Sequence, residues 1–376
     1  MKNIFYWSPF IGNVATIKAV INSAFSLSKF SRGNFFPSII NSSGEWSKYK
    51  NEMNLKKIQS IELQKNFKID TKINGFFRSR LEFLKIFIYC YFPLKKLIKK
   101  NKPDYLIVHL ITSLPLILYL FNKFDTKLII RISGKVKLNF FRKILWKFNK
   151  RNIYLITCPT RQSLEEINNL KIINRDKILF LPDPVINIRA INKKKGDQHH
   201  DKIYNKYFLS IGRFTRQKNH KLIINAFANL SKDLKDIQLL IIGDGELKEE
   251  YIKTINRLNL QKKVHLIGFK ENVFPYIKNS LGIISTSLWE DPGFVMIEAA
   301  ACNTFIISSD CPSGPKEFIS SNNGILFKNN NLNDLERKII KYLNFKNSEI
   351  FKMKIGAKKQ SINFTKFRHY KILNKN

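Results

Sequence analysis

The sequence predicts an α/β protein built from two doubly wound, Rossmann-like domains that face a cleft. Apolar runs of strand length alternate with helix-favouring stretches in both halves of the chain. Hydrophobic residues make up 44% of the 376 residues, and 31 residues are Phe, so the chain can fill two cores of ordinary size. A polar stretch without an apolar period lies between the halves and predicts a linker.

These patterns set the predicted boundaries. Residues 1–188 form the first domain, residues 189–206 the linker and residues 207–345 the second domain. Residues 346–376 are helical in pattern and basic.

The chain is strongly basic, with a net charge of +38. Residues 1–200 hold 37 Lys and Arg against 12 Asp and Glu, whereas residues 201–376 hold 29 against 16. The first half is therefore the half expected to meet a polyanion, such as an anionic membrane, a pyrophosphate-linked lipid or a nucleic acid. A compositional bias toward Lys, Asn and Ile explains the charge equally well, and both explanations stay open.

The cysteines fit a reducing compartment. The apolar runs argue against a signal peptide and a membrane span. No C-x-x-C pair occurs, so the spacing predicts neither zinc nor disulfides, and a reducing compartment fits. The first residues are too short and too aromatic a run for a signal peptide. The longest apolar run, Tyr105 to Phe121, is shorter than the roughly 20 residues of a membrane span and predicts a strand followed by a helix.

The most informative stretch is residues 281–301. An apolar strand, Leu281 to Ile284, is followed by a polar loop with Glu290, a break at Pro292-Gly293, and a helix that carries Glu298. The start of a helix after a strand binds anions, because backbone N–H groups and the helix dipole point at one spot. The loop would let the two carboxylates face the two ends of one ligand.

This stretch resembles the Glu-x7-Glu element of the retaining glycosyltransferases of family 4, the glycogen-synthase-like enzymes of GT-B fold. Glu290 and Glu298 have its spacing, and Pro292-Gly293-Phe294 fits the segment between them. Gly212, Arg213 and Lys218 match the family's Gly-Arg…Lys pattern, which is suited to a pyrophosphate.

In the first domain, the resemblance to this family rests on fewer residues. His109 ends the strand after Pro103-Asp104, and in the family a histidine there faces the donor sugar. Gly12 lies in the loop after the first strand, where the family has adjacent glycines. Asp183 stands where the family usually has Asn.

The resemblance implies a retaining transfer of a hexose-type sugar from a nucleoside-diphosphate sugar, with UDP favoured over GDP. The acceptor would be lipid-linked or an oligosaccharide, in polysaccharide or lipopolysaccharide synthesis at the cytoplasmic face of the inner membrane. It also implies a final helix that crosses back to the first domain. No Asp-x-Asp element occurs, so neither a metal nor another cofactor is expected, and nucleic acid is not an expected partner. The implied catalytic residues are His109, Glu290, Arg213 and Lys218; the implied donor-binding residues are Gly12, Gly212, Gly268, Pro292, Gly293, Phe294, Val295 and Glu298.

Two alternatives belong to other classes. An oxidoreductase or epimerase would need a dinucleotide fingerprint, but Lys248 stands where Gly243-Asp244-Gly245 would need its third glycine. A nucleic-acid- or nucleotide-binding protein without catalysis is the second. The presence of Glu290 and Arg213 argues against it, and salt-sensitive binding to DNA or RNA would favour it.

Overall fold

The computed structural model describes residues 1–10, 16–64, 67, 76–133, 138–197 and 206–375. The chain divides into two compact units: unit 1 holds residues 1–184 and 366–376, and unit 2 holds residues 185–365. No helix in these described ranges combines the length and the apolar character that crossing a bilayer requires.

Unit 1 is a parallel sheet with helices on both faces. Its strands are β1 (Lys2–Trp7), β2 (Phe35–Asn41), β3 (Gln59–Glu62), β4 (Tyr105–Val108), β5 (Lys127–Arg131), β6 (Ile153–Cys158) and β7 (Ile178–Phe180). Its helices are α1 (Thr16–Phe30), α2 (Lys50–Leu55), α3 (Phe76–Asn101), α4 (Ser113–Phe121), α5 (Phe140–Phe148) and α6 (Arg161–Asn169), with a last helix at Lys366–Leu373.

The strand order in unit 1 is β3-β2-β1-β4-β5-β6-β7, so the winding direction reverses between β1 and β4. Helices α3, α4, α5 and α6 pack into one apolar cluster on one face of the sheet. Helices α1 and α2 pack into a second cluster on the other face. Ligands of such sheets bind beyond the carboxyl ends of the strands at the reversal point, which here is the end of β1 and β4.

Unit 2 repeats this architecture with a sheet of six parallel strands. Its strands are β8 (Tyr207–Ile211), β9 (Gln238–Ile242), β10 (Val264–Gly268), β11 (Gly282–Ser285), β12 (Phe305–Ser309) and β13 (Ile325–Phe327). Its helices are α7 (Ile188–Lys194), α8 (His220–Asn229), α9 (Lys248–Arg257), α10 (Phe274–Asn279), α11 (Phe294–Ala301), α12 (Gly314–Phe318), α13 (Leu332–Leu343) and α14 (Asn347–Ser361). The helix at Lys366–Leu373 is therefore α15.

The order β10-β9-β8-β11-β12-β13 places the reversal of unit 2 between β8 and β11. These strands pair directly, with Phe208 opposite Gly282 and Leu209 opposite Ile283. Their carboxyl ends therefore bring together the loop with Arg213 and the loop with Glu290. The predicted α/β class, with a doubly wound sheet in each half, is confirmed.

The segment boundaries differ from the predicted ones in two places. The predicted linker begins with a helix, α7, which lies in unit 2. Helix α14 also belongs to unit 2, where it packs on α11, and only residues 366–376 lie in unit 1, with α15 against α1. Thr365, whose backbone is extended, separates α14 and a short 3-10 turn from α15.

Candidate active site

The loop after β8 is shaped by Gly212. Its N–H donates to the carbonyl of Ile242 on the neighbouring strand at 3.0 Å. A Cβ at this position would lie 3.0 Å from the side-chain carbons of Lys218. The glycine therefore lets the Lys218 side chain fold back over the strand end, while Arg213 beside it is exposed.

Gly243 and Gly245 pack the loop after β9 against this same loop. A Cβ on Gly243 would lie 1.9 Å from the carbonyl oxygen of Gly212, and one on Gly245 would lie 2.7 Å from that of Phe214. Both contacts forbid a side chain. The pair is thus explained by close loop packing, and no dinucleotide fingerprint is needed to account for it.

Lys218 and Glu290 form an ion pair at the end of the sheet. The hydroxyl of Ser287 donates to the same carboxylate oxygen, Oε1, at 2.6 Å. The two side chains are only 19% and 11% exposed, so the pair is shielded from bulk water and screened little by salt. The two predicted catalytic groups therefore contact each other directly.

Backbone contacts hold the two loops in register. The hydroxyl of Thr286 lies 3.0 Å from the carbonyls of both Lys218 and Asn219. The N–H of Leu288 donates to the carbonyl of Gln217 at 2.8 Å, and the side-chain amide of Gln217 donates to the carbonyl of Trp289 at 2.9 Å. The positions of Lys218 and Glu290 are thus fixed by their backbones as well as by their charges.

Two glycines, Gly293 and Gly314, allow the backbone to turn sharply before α11. Gly293 precedes the helix with φ of +91°, a left-handed conformation that favours glycine. A Cβ on Gly314 would lie 1.7 Å from the carbonyl oxygen of Pro292. Phe294 is therefore the first helical residue, as predicted, and the first N–H groups of α11 have no partner within the helix.

A small recess lies at this point of unit 2. Lys218, Glu290, Gly293, Val295 and Met296 are among the residues that line it. Four predicted site residues from two loops and one helix start therefore meet there. A cation, a carboxylate and a helix N-terminus in one recess form a site suited to a polar, anionic ligand.

Glu298 is not part of the recess lining. It lies in α11, one turn after Phe294, and is 8% exposed. Burial raises the pKa of the Cys302 thiol one turn further on to about 12, and the Glu298 carboxylate adds to that rise. The spacing of eight residues thus does not bring Glu290 and Glu298 into the same recess.

Gly268 ends β10 with φ of +78°, and a Cβ there would meet nothing within 4 Å. Its carbonyl accepts the N–H of Gly243 at 3.0 Å. The glycine is therefore required by its conformation, and the space beside it is open. The next residue, Phe269, is 77% exposed.

In unit 1, His109 lies directly after β4, at the reversal point. Its backbone N–H donates to the carbonyl of Trp7 at 3.0 Å. The ring is buried, and its Nδ1 has no hydrogen-bond partner among the described residues. Burial lowers the pKa of His109 well below its usual value, and the nearby cation of Arg131 lowers it further. Gly12 lies outside the described residues.

Residues 192–360 match the family profile of the glycosyl transferases group 1. This range contains both loops of the recess and helix α11. Over this range the chain resembles the group 1 glycosyltransferases.

Two curated relatives match the chain over part of their length. An uncharacterized glycosyltransferase of Methanocaldococcus jannaschii is 28% identical over 248 residues, which is 61% of either chain. The N-acetylgalactosamine-N,N'-diacetylbacillosaminyl-diphospho-undecaprenol 4-alpha-N-acetylgalactosaminyltransferase of Campylobacter jejuni is 37% identical over 131 residues, 35% of either chain. The chain thus spans less than two thirds of these relatives.

A solved structure shows the same fold over the whole chain. The crystal structure of Anabaena HepE in complex with UDP-glucose superposes with a TM-score of 0.74, covering 100% of this chain and 99% of that one. The identity is 13%, so the likeness shows the fold alone. The predicted GT-B fold is confirmed.

The candidate site of unit 2 also contains supporting residues that the sequence patterns did not indicate. Ser287 hydrogen-bonds Glu290. His220 lies buried behind the first loop, with its Nδ1 3.1 Å from the hydroxyl of Ser210. Burial lowers the pKa of His220 to about 4, and the charge of Lys218 contributes. Of these residues, only Ser287 had a signal in the sequence, because it lies three residues before Glu290.

Arg131 and His369 lie near His109, since the charges of both lower its pKa. Arg131 is buried, pairs with the carboxylate of Asp183 and donates to the carbonyl of Leu181 at 2.7 Å. His369 on α15 lies 2.9 Å from the carbonyl of Pro182 through Nδ1 and 2.9 Å from the hydroxyl of Ser23 through Nε2. Asp183 stands where the family usually has Asn. Its carboxylate neutralises the charge of Arg131, which a neutral amide could not do.

No group of three or more His, Cys, Asp or Glu side chains in the described ranges is arranged to hold a metal ion. Metal independence stays a prediction.

Proposed function

We propose that the chain transfers a hexose-type sugar from a nucleoside-diphosphate donor to a lipid-linked or glycan acceptor, with retention of the anomeric configuration. The observation that carries the proposal is the recess where Lys218 and Glu290 meet the start of α11. The family match covers that recess. The name of the Campylobacter relative includes a diphospho-undecaprenol acceptor, which supports a lipid-linked substrate. The UDP-glucose in the HepE structure supports a UDP donor over a GDP donor.

The leaving group of such a reaction is a nucleoside diphosphate, which gains negative charge as the sugar departs. Arg213, Lys218 and the N–H groups at the start of α11 are placed to stabilise that charge. Because Lys218 is held by Glu290 and by the backbone contacts of its loop, it needs little reorganisation during the reaction. The chain's own cations would then fill the role that a metal has in other transferases, so the reaction is proposed to run without one.

Glu290 is proposed to position the donor sugar. Lys218 and Ser287 both donate to Oε1 of its carboxylate. A carboxylate held in this way suits hydrogen bonding to sugar hydroxyls. The proposed mechanism therefore contains no enzymic nucleophile: the acceptor hydroxyl attacks on the face that the diphosphate leaves, and a phosphate oxygen takes its proton.

The remaining roles follow from position. Glu298 is proposed to hold the ribose hydroxyls, and the open backbone at Gly268 to meet the base. His109 would orient the sugar; its lowered pKa keeps the ring neutral at pH 7, so it can act as a hydrogen-bond partner without adding charge. The setting is polysaccharide or lipopolysaccharide assembly at the cytoplasmic face of a membrane, with the protein bound peripherally.

The test is slow hydrolysis of the donor in the absence of acceptor, followed by proton NMR. UDP-glucose and UDP-N-acetylglucosamine are incubated with the protein in EDTA, and the first anomer of the released sugar is observed. Release of the α-anomer by the wild type and none by Glu290→Gln supports the proposal. Release of the β-anomer would refute retention, and hydrolysis unaffected by Glu290→Gln would refute the site.

A further inference from the structure

Helix α3 packs on its sheet with a narrow apolar stripe. The inward residues Ile86, Cys90, Leu94 and Ile98 recur every four positions and are fully buried. Leu81, Leu84 and Ile88 lie on the other side of the helix and are exposed. The helix thus has two apolar faces, and only one of them contributes to the core of unit 1.

The outward stripe of α3 stays in contact with solvent. Leu81, Leu84, Ile88 and Phe92 lie about one turn apart and are between 56% and 71% exposed. The same line of the helix then continues into lysines: Lys95, Lys96, Lys99 and Lys100. An exposed stripe of this length has no role in the stability of the unit.

Helix α5 shows the same distribution more strongly. Of its nine residues, only Trp146 is buried. Phe140, Phe141 and Phe148 are 70%, 78% and 66% exposed. Phe121, at the end of the neighbouring helix α4, is 72% exposed. Helices α3, α4 and α5 pack into one cluster on one face of the sheet, so their outward sides face away from it together.

Cations accompany these aromatic rings, and acids are almost missing. Helix α5 carries Arg142, Lys143 and Lys147 and has no Asp or Glu. In α3, the single acid is Glu82, which is buried and pairs with Lys85 at 2.7 Å. We define the aromatic–lysine surface by a set of exposed apolar and basic residues of these three helices. They are Leu81, Leu84, Ile88, Phe92, Lys96, Lys99, Lys100, Phe121, Phe140, Phe141, Arg142, Lys143, Lys147 and Phe148.

We propose that the aromatic–lysine surface docks the protein on an anionic lipid bilayer. Phenylalanine and leucine side chains enter the boundary between headgroups and acyl chains, while lysines bind lipid phosphates above it. Nucleic acid would satisfy the lysines but would leave the Phe and Leu side chains in water. A second copy of the chain would bring two cationic surfaces together in a protein of net charge +38. An anionic bilayer satisfies both parts of the surface.

This inference deepens the proposed function, because it names the surface that would bring the chain to a lipid-linked acceptor. Vesicle binding is measured without any donor or acceptor. Failure of docking therefore leaves sugar transfer untouched, and failure of sugar transfer leaves docking untouched.

The first experiment is flotation of the full chain with phosphatidylcholine vesicles that contain or lack phosphatidylglycerol. The aromatic variant is Phe140→Ser with Phe141→Ser and Phe148→Ser; the lysine variant is Lys96→Ser with Lys99→Ser and Lys100→Ser. Each should lower binding to anionic vesicles by on the order of tenfold. The matched control changes exposed residues of unit 2: Phe351→Ser with Lys232→Ser and Lys235→Ser. It should bind as the wild type does.

A second measurement separates insertion from adsorption. Phe141→Trp places a reporter ring on the surface, and brominated lipids should quench it and shift its emission to the blue. Phe351→Trp, away from the surface, should show neither change. Absence of binding to anionic vesicles would overturn the proposal. So would loss of binding in the lysine variant alone with no quenching at position 141, because that result describes a nonspecific polyanion site.

Discussion

Lys218 and Glu290, 72 residues apart in the chain, form an ion pair at the carboxyl ends of two adjacent strands. The pair joins the loop after β8 to the loop after β11. Within this pair, each group neutralises the charge of the other. An arriving diphosphate would compete for the ammonium, and the carboxylate would then be available to the sugar. The pair thus links recognition of the phosphates to recognition of the sugar.

The first prediction concerns the ammonium of Lys218. Lys218→Met should weaken UDP binding by about 10- to 100-fold, the usual loss for a hydrogen bond to a charged group. Isothermal titration of UDP measures it. Lys221→Met is the matched control, because Lys221 is exposed and pairs with Glu250 at 2.8 Å. Equal UDP affinities for wild type and Lys218→Met would remove Lys218 from the phosphate site.

The second prediction assigns Glu298 to the ribose. The wild type should bind UDP more tightly than 2',3'-dideoxy-UDP, by about tenfold or more. In Glu298→Gln this preference should shrink, because the charged acceptor of the ribose hydroxyls is gone. The ratio of the two affinities is the readout, so a general loss of stability does not imitate the effect. An unchanged ratio would place the ribose elsewhere.

The third prediction concerns the buried pair of Arg131 and Asp183, whose side chains are 3% and 11% exposed. Arg131→Met should lower the free energy of unfolding by about 3–5 kcal/mol, because it leaves a buried carboxylate unpaired. Adding Asp183→Asn to that variant should recover much of the loss. Urea denaturation measures both. A loss no larger than the ~0–1 kcal/mol expected of an exposed pair, with Lys221→Ala as the control, would contradict the interpretation.

The fourth prediction follows from the buried His369. Burial lowers its pKa to about 3. The unfolded chain therefore binds a proton at this residue that the folded chain does not, so the stability contribution is full above about pH 6.5 and is lost as pH falls toward 3. Between pH 7 and pH 5 the loss should be about 2 kcal/mol for this residue. His369→Gln should flatten that part of the stability–pH curve; an unchanged slope would show that the histidine is not buried neutral.

Local patterns in the sequence predicted the two doubly wound sheets, since strand and helix periods are properties of neighbouring residues. They also predicted the glycine break before α11. The contact between Lys218 and Glu290 could not be predicted in the same way, because it depends on β8 and β11 being adjacent in the sheet. The spacing of Glu290 and Glu298 suggested that the two carboxylates face the two ends of one ligand, and this stays a prediction. The structure buries Glu298 in α11, outside the recess that Glu290 lines.

In unit 1 the sequence identified His109 but not the residues around it. Arg131, Asp183 and His369 come from three separate parts of the chain and meet only through the fold. For α3, the helical period of the sequence does not say which of two apolar stripes faces the sheet. The packing of Cys90 and Leu94 decides that, and it leaves Ile88 in solvent.

The proposed function requires that the recess of unit 2 binds a nucleoside diphosphate without metal. The most direct test is a thermal-shift panel of UDP, GDP, ADP, TDP and NAD, each with EDTA and with magnesium, because a ligand that binds only the folded state raises the melting temperature. We expect UDP to raise the melting temperature by the same amount in EDTA and in magnesium. We expect no such rise in Lys218→Met. A shift with NAD alone, or one that needs magnesium, would contradict the proposed function.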